Sequence, residues 1–205
     1  MDYYQPLVPD CFYHILSRAN GNERLFIEQE NYRFFLSRFD KYISLVADTF
    51  AYNLLPNHFH FFIKIKPVEI LLQQFLSLHP KQKEYDGWQP EFVMQQCSNL
   101  LNSYAKSFNK RYNRKGALFT DYLRRVPIES QQQFTDTIFY IHKNAVHHGL
   151  CKTIGEWPWS SYKTILSTAA TKIKREEVLQ WFGNEAAFVQ FHGQDITPRH
   201  AVVVE

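Results

Sequence analysis

Leu54-Leu55-Pro56-Asn57-His58-Phe59-His60-Phe61-Phe62-Ile63-Lys64-Ile65 is the stretch on which the fold turns. Side chains of a strand alternate faces with a period of two, so His58 and His60 point to one side while Phe59, Phe61, Ile63 and Ile65 point to the other. Pro56-Asn57 is a tight turn. It joins the histidine strand to an apolar run at 48–55, which makes the two an antiparallel hairpin. Two imidazoles aimed together from a stiff strand can hold a divalent cation, because neutral imidazole nitrogen is a good ligand.

Upstream of the hairpin, residues 11–17 read as a strand and Arg18-Ala19-Asn20-Gly21-Asn22 as a turn. Residues 29–45 carry Tyr32, Phe35, Leu36, Phe39, Tyr42 and Ile43 at helical spacing. Downstream, 68–78 is a helical segment and 79–90 a polar loop or insertion. A helix follows over 91–112 through Val93, Cys97, Leu100, Leu101, Tyr104 and Phe108, and Gly116 ends it in a loop. Residues 117–128 suit a fourth strand. Ser130 with Gln133 forms a capping box, and Phe134, Ile138, Ile141 and Ala145 continue as a helical stripe to Gly149. The order strand, helix, strand, strand, helix, strand predicts an α+β, ferredoxin-like antiparallel sheet with helices on one face, followed by an extra helix. Residues 1–150 form the main unit in this reading. Residues 151–205 form a helical C-terminal extension, with helices at 175–182 and 185–191 and an extended or frayed end at 197–205.

Within 205 residues no run of eighteen apolar residues occurs, and Met1-Asp2-Tyr3-Tyr4-Gln5 lacks the basic and apolar segments of a signal peptide. The expectation is a cytoplasmic protein without a membrane partner. Cys11, Cys97 and Cys151 are far apart and form no CxxC pair, so neither a disulfide framework nor a thiolate zinc site is expected, and all three read as small core residues. A net charge of +3 is weak evidence for an anionic partner. Its distribution says more: between Tyr104 and Arg125 stand Lys106, Lys110, Arg111, Arg114, Lys115, Arg124 and Arg125 against the single acid Asp121. Such a local excess attracts a phosphate backbone, and Tyr104, Phe108 and Tyr112 are candidate stacking surfaces beside it.

Tyr140 and Asn144 are four residues apart on the helix that starts near Ser130, so they share a face, with His147 and His148 one turn on. A phenol is a poor nucleophile at neutral pH because its pKa is about 10. It needs a polarised electrophile, and two histidines with an amide oxygen around Mg²⁺ or Mn²⁺ would polarise a phosphodiester. Twelve tyrosines compete for the role, and spacing alone does not choose among them; Tyr104, beside the basic cluster, is the rival.

Five segments in chain order carry a resemblance. They are Tyr13-His14-Ile15-Leu16-Ser17-Arg18-Ala19-Asn20, Leu55-Pro56-Asn57-His58-Phe59-His60, Asn109-Lys110-Arg111-Tyr112-Asn113-Arg114-Lys115-Gly116-Ala117-Leu118-Phe119, Tyr140-Ile141-His142-Lys143-Asn144-Ala145-Val146-His147-His148-Gly149 and Trp157-Pro158-Trp159-Ser160-Ser161-Tyr162. Together they resemble the REP-associated tyrosine transposases of the single-tyrosine HUH superfamily. The resemblance implies a nuclease that cuts single-stranded DNA beside a hairpin and leaves a 5′-phosphotyrosine and a free 3′-hydroxyl. It places the paired metal ligands on His58 and His60, the nucleophile on Tyr140 and a third ligand on Asn144, with Mg²⁺ or Mn²⁺ as the cation. The sequence departs from the family pattern at Ala145, where proline is usual. Other readings stay open: a domesticated or catalytically silent hairpin-DNA-binding protein, or an unrelated metal hydrolase. A monomer is mildly favoured over a homodimer, because the extension could cover the edge through which compact relatives pair.

Overall fold

The computed structural model describes residues 4–120 and 123–195. Its elements run β1 (Phe12–Arg18), α1 (Gln29–Ile43), β2 (Ala47–Leu55), β3 (His58–Ile65), α2 (Val68–Leu78), α3 (Trp88–Arg111), β4 (Arg124–Ile128), α4 (Gln131–His147), α5 (Tyr162–Leu166), α6 (Arg175–Phe182) and α7 (Glu185–His192). The four strands form one antiparallel sheet in the order β2-β3-β1-β4, the ferredoxin-like arrangement that the element order predicts. The expectation for 197–205 falls outside the described residues.

Strand alternation divides the core into two. Ile15, Phe59, Phe61 and Ile63 lie on the face covered by α1 and α3, where they meet Phe35, Phe39, Tyr104 and Phe108. Phe39 and Phe61 stack there with centroids 3.8 Å apart. These are the two crossover helices of the predicted order. The opposite face presents Leu16, Phe62 and Val126 to α4 and the C-terminal helices through Phe134, Ile138, Ile165, Val178 and Phe188. The extra helix and the extension therefore cover the histidine side of the sheet, and His58 and His60 stand at the margin of that second core.

Most boundaries lie within about two residues of the sequence reading; two differ by more, each for a local reason. The fourth strand is 124–128 rather than 117–128. Ahead of it, Leu118 is drawn into the α3-side core. The backbone there is held by Asn20 N–H donating to Leu118 C=O at 2.9 Å and Thr120 N–H donating to Arg18 C=O at 3.0 Å. At the other end, α3 starts three residues before the predicted 91: Trp88 is 2% exposed and anchors its first turn. Pro90 is tolerated because first-turn N–H groups have no helical acceptor. Of the cysteines, Cys97 is buried as expected, whereas Cys11 is exposed and Cys151 half-buried. Cys11 precedes β1, outside the sheet's alternation.

The extension also shields the β2 edge. Ser160 bridges Asn53 and Ile173 bridges Thr49, with Leu54 N–H donating to Trp159 C=O at 2.9 Å and Lys174 N–H to Thr49 C=O at 2.9 Å. Trp159 stacks on Tyr32 at 4.4 Å. At the other edge, Tyr4 bridges Arg125 of β4. Unpaired strand edges invite pairing with other chains, and here segments of the same chain blunt both.

The start of α4 matters because that helix carries Tyr140. Ser130 accepts from the Gln133 backbone N–H and the Gln133 side chain reaches back to the Ser130 N–H, a complete capping box. Ser130→Ala is expected to cost about 1 kcal/mol of stability, read from the urea midpoint, and to leave the site chemistry unchanged. No described helix is long and apolar enough to cross a membrane.

Candidate active site

Register brings the site together. In the β1–β3 ladder Leu16 faces His60 and Arg18 faces His58, and in the hairpin Asn53 faces His60 and Leu55 faces His58. Directly opposed residues share a sheet face, so Leu16, Asn53, His58 and His60 all look toward α4. The Asn53 amide Nδ2 donates to the Ile141 carbonyl at 2.7 Å, one residue beyond Tyr140, and fixes that helix on the strand beside His60. Leu16, Arg18, Asn57, His58, His60, Tyr140 and His148 line a cleft of about 220 Å³.

Tyr140 is 9% exposed. Its ring lies 5.7 Å from that of His60 and 6.0 Å from that of His14 between centroids, at the cleft and on the same chain as the histidines. The tyrosine and the imidazole pair predicted from sequence do converge. Asn144, 1% exposed, joins them, with its Oδ1 3.2 Å from His58 Nε2. The helix α4 runs unbroken through Ala145 to His147, and Ala145 is fully buried in it.

The nitrogens are arranged in a way that bears on cation binding. Burial lowers the His58 pKa to about 4, against a smaller raising effect from Asn144, and lowers that of His60 well below 6.5, reinforced by His14 and His58. Both rings are therefore neutral near pH 7. A neutral imidazole has a single N–H, yet His58 meets two amide oxygens, Asn57 Oδ1 at 2.7 Å from Nδ1 and Asn144 Oδ1 at 3.2 Å from Nε2. The proton belongs to the shorter contact. The longer one then sets an electron pair against an electron pair, which is reconciled by a shared cation or by a turn of the Asn144 amide that brings its otherwise unpartnered Nδ2 to His58. His60 Nδ1 lies 2.9 Å from His14 Nε2, while His60 Nε2 is buried with no protein partner. Two imidazoles that line one cleft, with an amide oxygen beside His58, make a nitrogen and oxygen donor set of the kind that holds a divalent cation. No group of three or more His, Cys, Asp or Glu with metal-binding geometry occurs among the described residues, so a cation here would use the amide of Asn144 and the substrate as further ligands.

The predicted DNA-binding cations scatter. Lys106, Lys110 and Arg111 are on α3, which packs on the face away from the cleft. Arg111 is further engaged by Glu28 at 2.7 Å, and this pair lowers the Glu28 pKa. Arg114 pairs with Glu23 and donates to the carbonyls of Gly116 and Ala117, so it clasps its own loop. Lys115 is exposed in that loop, which runs beside the Arg18 end of β1. Arg125 is opposite Ile15 and donates to the carbonyls of Tyr4, Gln5 and Leu123. Arg124, opposite Leu16, alone of the seven shares the sheet face of the histidines. Two stacking assignments are corrected: Tyr104 and Phe108 are 1% and 5% exposed in the α3-side core. Tyr104 donates to Leu25 C=O, and burial raises its pKa, which also removes it as the rival nucleophile. Tyr112 is half-buried, its hydroxyl donating to Glu28.

Four neighbours of the site escape the sequence reading as site residues. His14, fully buried, and Arg18 come from β1, Asn53 from β2, and His148 lies 4.9 Å from His58 between ring centroids. Arg18 was read into the turn, whereas it ends β1 on the face of His14, and the contacts of His14 and Asn53 are to residues distant in sequence.

No protein-family model and no curated protein sequence matches the chain. Among solved structures, a REP-associated tyrosine transposase bound to a REP hairpin superposes on 82% of this chain and 86% of its own, with a TM-score of 0.60 and 12% identity. What the two chains share at that identity is a fold, the four-stranded ferredoxin-like sheet with its flanking helices.

Proposed function

We propose that this protein is a metal-dependent single-stranded DNA nickase and strand transferase of the transposase kind, acting at hairpin DNA through a covalent 5′-phosphotyrosine on Tyr140. The observation that carries the reading is the meeting of Tyr140 with His58 and His60 at one cleft, with Asn144 in contact with His58. The structural likeness to a hairpin-bound transposase supports it. His58, His60 and Asn144 would hold Mg²⁺ or Mn²⁺, which when bound supplies Lewis-acid polarisation of the scissile phosphate.

The chain's own residues do the rest. Tyr140 Oη forms a bond to phosphorus as the P–O3′ bond breaks; the phenol gives up its proton and the 3′-oxygen takes one up. Phosphodiester energy is conserved in the tyrosyl ester, so a second 3′-hydroxyl reverses the step and joins strands without ATP. Arg18 and Arg124 lie where they can neutralise the strand that enters the cleft, and Lys115 stands at the same end of the sheet. Because Tyr140 sits beside its own histidines and both sheet edges are blunted, one chain holds every part. The protein is expected to sediment at the 24.4 kDa of a monomer.

The test is denaturing electrophoresis of the protein with 5′- and 3′-labelled hairpin DNA in Mg²⁺ or Mn²⁺. The expected result is a covalent adduct carrying the downstream strand and an upstream fragment with a free 3′-hydroxyl. A water-activating hydrolase would release both fragments free of protein, and a silent hairpin binder would release neither. His58→Ala is expected to lower adduct formation about 10²-fold or more, since cation polarisation is worth several kcal/mol and each tenfold about 1.4 kcal/mol.

A further inference from the structure

We propose that His14 is a positioning residue: its Nε2 accepts the Nδ1–H of His60 and thereby locks His60 in the tautomer whose Nε2 lone pair faces the cleft. The role in cation binding rests on the nuclease reading, whereas the hydrogen-bond direction does not. His14 is fully buried on β1, and its Nε2 is 2.9 Å from His60 Nδ1. One proton lies between those two nitrogens, so the contact has two assignments.

If His14 donated, the proton of a neutral His60 would sit on Nε2, the buried nitrogen that meets no protein partner. Buried N–H groups without acceptors are the rarest kind of unsatisfied group. If His60 donates, Nε2 carries an electron pair instead, on a ring that lines the cleft beside His58. The second assignment also matches His58, whose Nδ1 lies 2.7 Å from Asn57 Oδ1 and whose Nε2 is turned to Asn144. Each imidazole is thus gripped at Nδ1 and offered at Nε2. Outer partners of this kind fix tautomer and ring orientation, and losing one costs about 10–100-fold in metal affinity. His14 lies in the core of the sheet with no route for direct attack on substrate; it acts through His60.

The experiment is long-range ¹H–¹⁵N correlation on ¹⁵N-histidine-labelled protein without added cation, paired with Mn²⁺ titration followed by the paramagnetic resonance of free Mn²⁺. In the wild type, His60 is expected to show a protonated Nδ1 and an unprotonated Nε2. In His14→Phe, which fills the space but accepts nothing, the His60 signals should move toward a tautomer mixture and Mn²⁺ affinity should fall about 10–100-fold. His14→Gln, whose amide oxygen can accept, should restore most of both. A proton on Nε2 in the wild type overturns the inference without recourse to any variant, as does a folded His14→Phe with unchanged tautomer and unchanged affinity. A wild type with the assigned tautomer that binds no Mn²⁺ overturns the nuclease reading instead and upholds the hydrogen-bond direction.

Discussion

Tyr140→Phe is expected to abolish the covalent protein–DNA adduct of the proposed reaction, with a loss of about 10³-fold or more, and to leave hairpin binding and folding close to wild type. The substitution removes one oxygen and keeps the ring that meets His14 and His60 edge-on at 6.0 and 5.7 Å. Packing in the second core is therefore retained, and the bond that must form to phosphorus has no other oxygen to come from. Tyr104→Phe is the matched control. It leaves a buried carbonyl at Leu25 without its hydroxyl donor, which costs about 1–3 kcal/mol of stability, and adduct formation per folded molecule is unchanged. Denaturing gels report the adduct, anisotropy of a labelled hairpin reports binding, and urea midpoints report stability. Adduct that persists in Tyr140→Phe and disappears in Tyr104→Phe reverses the choice of nucleophile.

The parts of this molecule that sequence discloses are those decided within a few residues. Alternation places His58 and His60 on one side of a strand and Phe59 and Phe61 on the other, and helical spacing puts Tyr140 and Asn144 on one face; both relations hold in the structure. The basic run between Tyr104 and Arg125 does not form one patch at the cleft, because charge density in sequence says nothing about which side of the sheet a helix covers. The crossover carries α3 to the face away from the cleft and takes Lys106, Lys110 and Arg111 with it. A one-residue difference in register then separates Arg124, opposite Leu16, from Arg125, opposite Ile15. Tyr104 and Phe108 fit a stacking platform and a core stripe equally well as a pattern, and burial resolves them as core. His14 and Asn53 acquire their roles only from partners distant in sequence, His60 and Ile141, so local patterns do not disclose them.

Acidification is expected to unfold the protein cooperatively near pH 5, roughly midway between the unfolded and folded histidine values, and the cause is a set of histidines buried neutral. Ser161, 0% exposed, receives the Tyr52 backbone N–H at 2.8 Å and lies 2.8 Å from His142 Nε2. His142 Nδ1 lies 2.9 Å from His192 Nε2, and His192 Nδ1 lies 2.8 Å from the Phe188 carbonyl. The carbonyl can only accept, so the directions follow down the chain: His192 donates to Phe188, His142 donates to His192, and the Ser161 hydroxyl donates to His142. This relay binds β2, α4 and α7 together, and a proton added at His142 Nε2 would turn the Ser161 hydroxyl from the imidazole to the Tyr52 carbonyl 3.3 Å away, leaving a charge buried with neutral partners. Burial lowers the His192 pKa to about 4 and that of His142 well below 6.5. A histidine whose folded pKa is depressed contributes stability that is complete above its unfolded value of about 6.5 and drains away as pH falls toward the folded value. For His192 the drop to about 4 corresponds to about 3 kcal/mol at 1.36 kcal/mol per unit. His142, and His58 and His60 in the cation-free protein, act in the same sense. Each adds to the same loss, against the 5–15 kcal/mol, roughly, that holds a typical domain folded. Near-ultraviolet circular dichroism and tryptophan fluorescence should lose their native signatures between pH 6 and pH 4, roughly the window between the unfolded and folded values. A native spectrum that persists unchanged to pH 4 would mean that these rings are hydrated or already charged, and the relay as described would not exist.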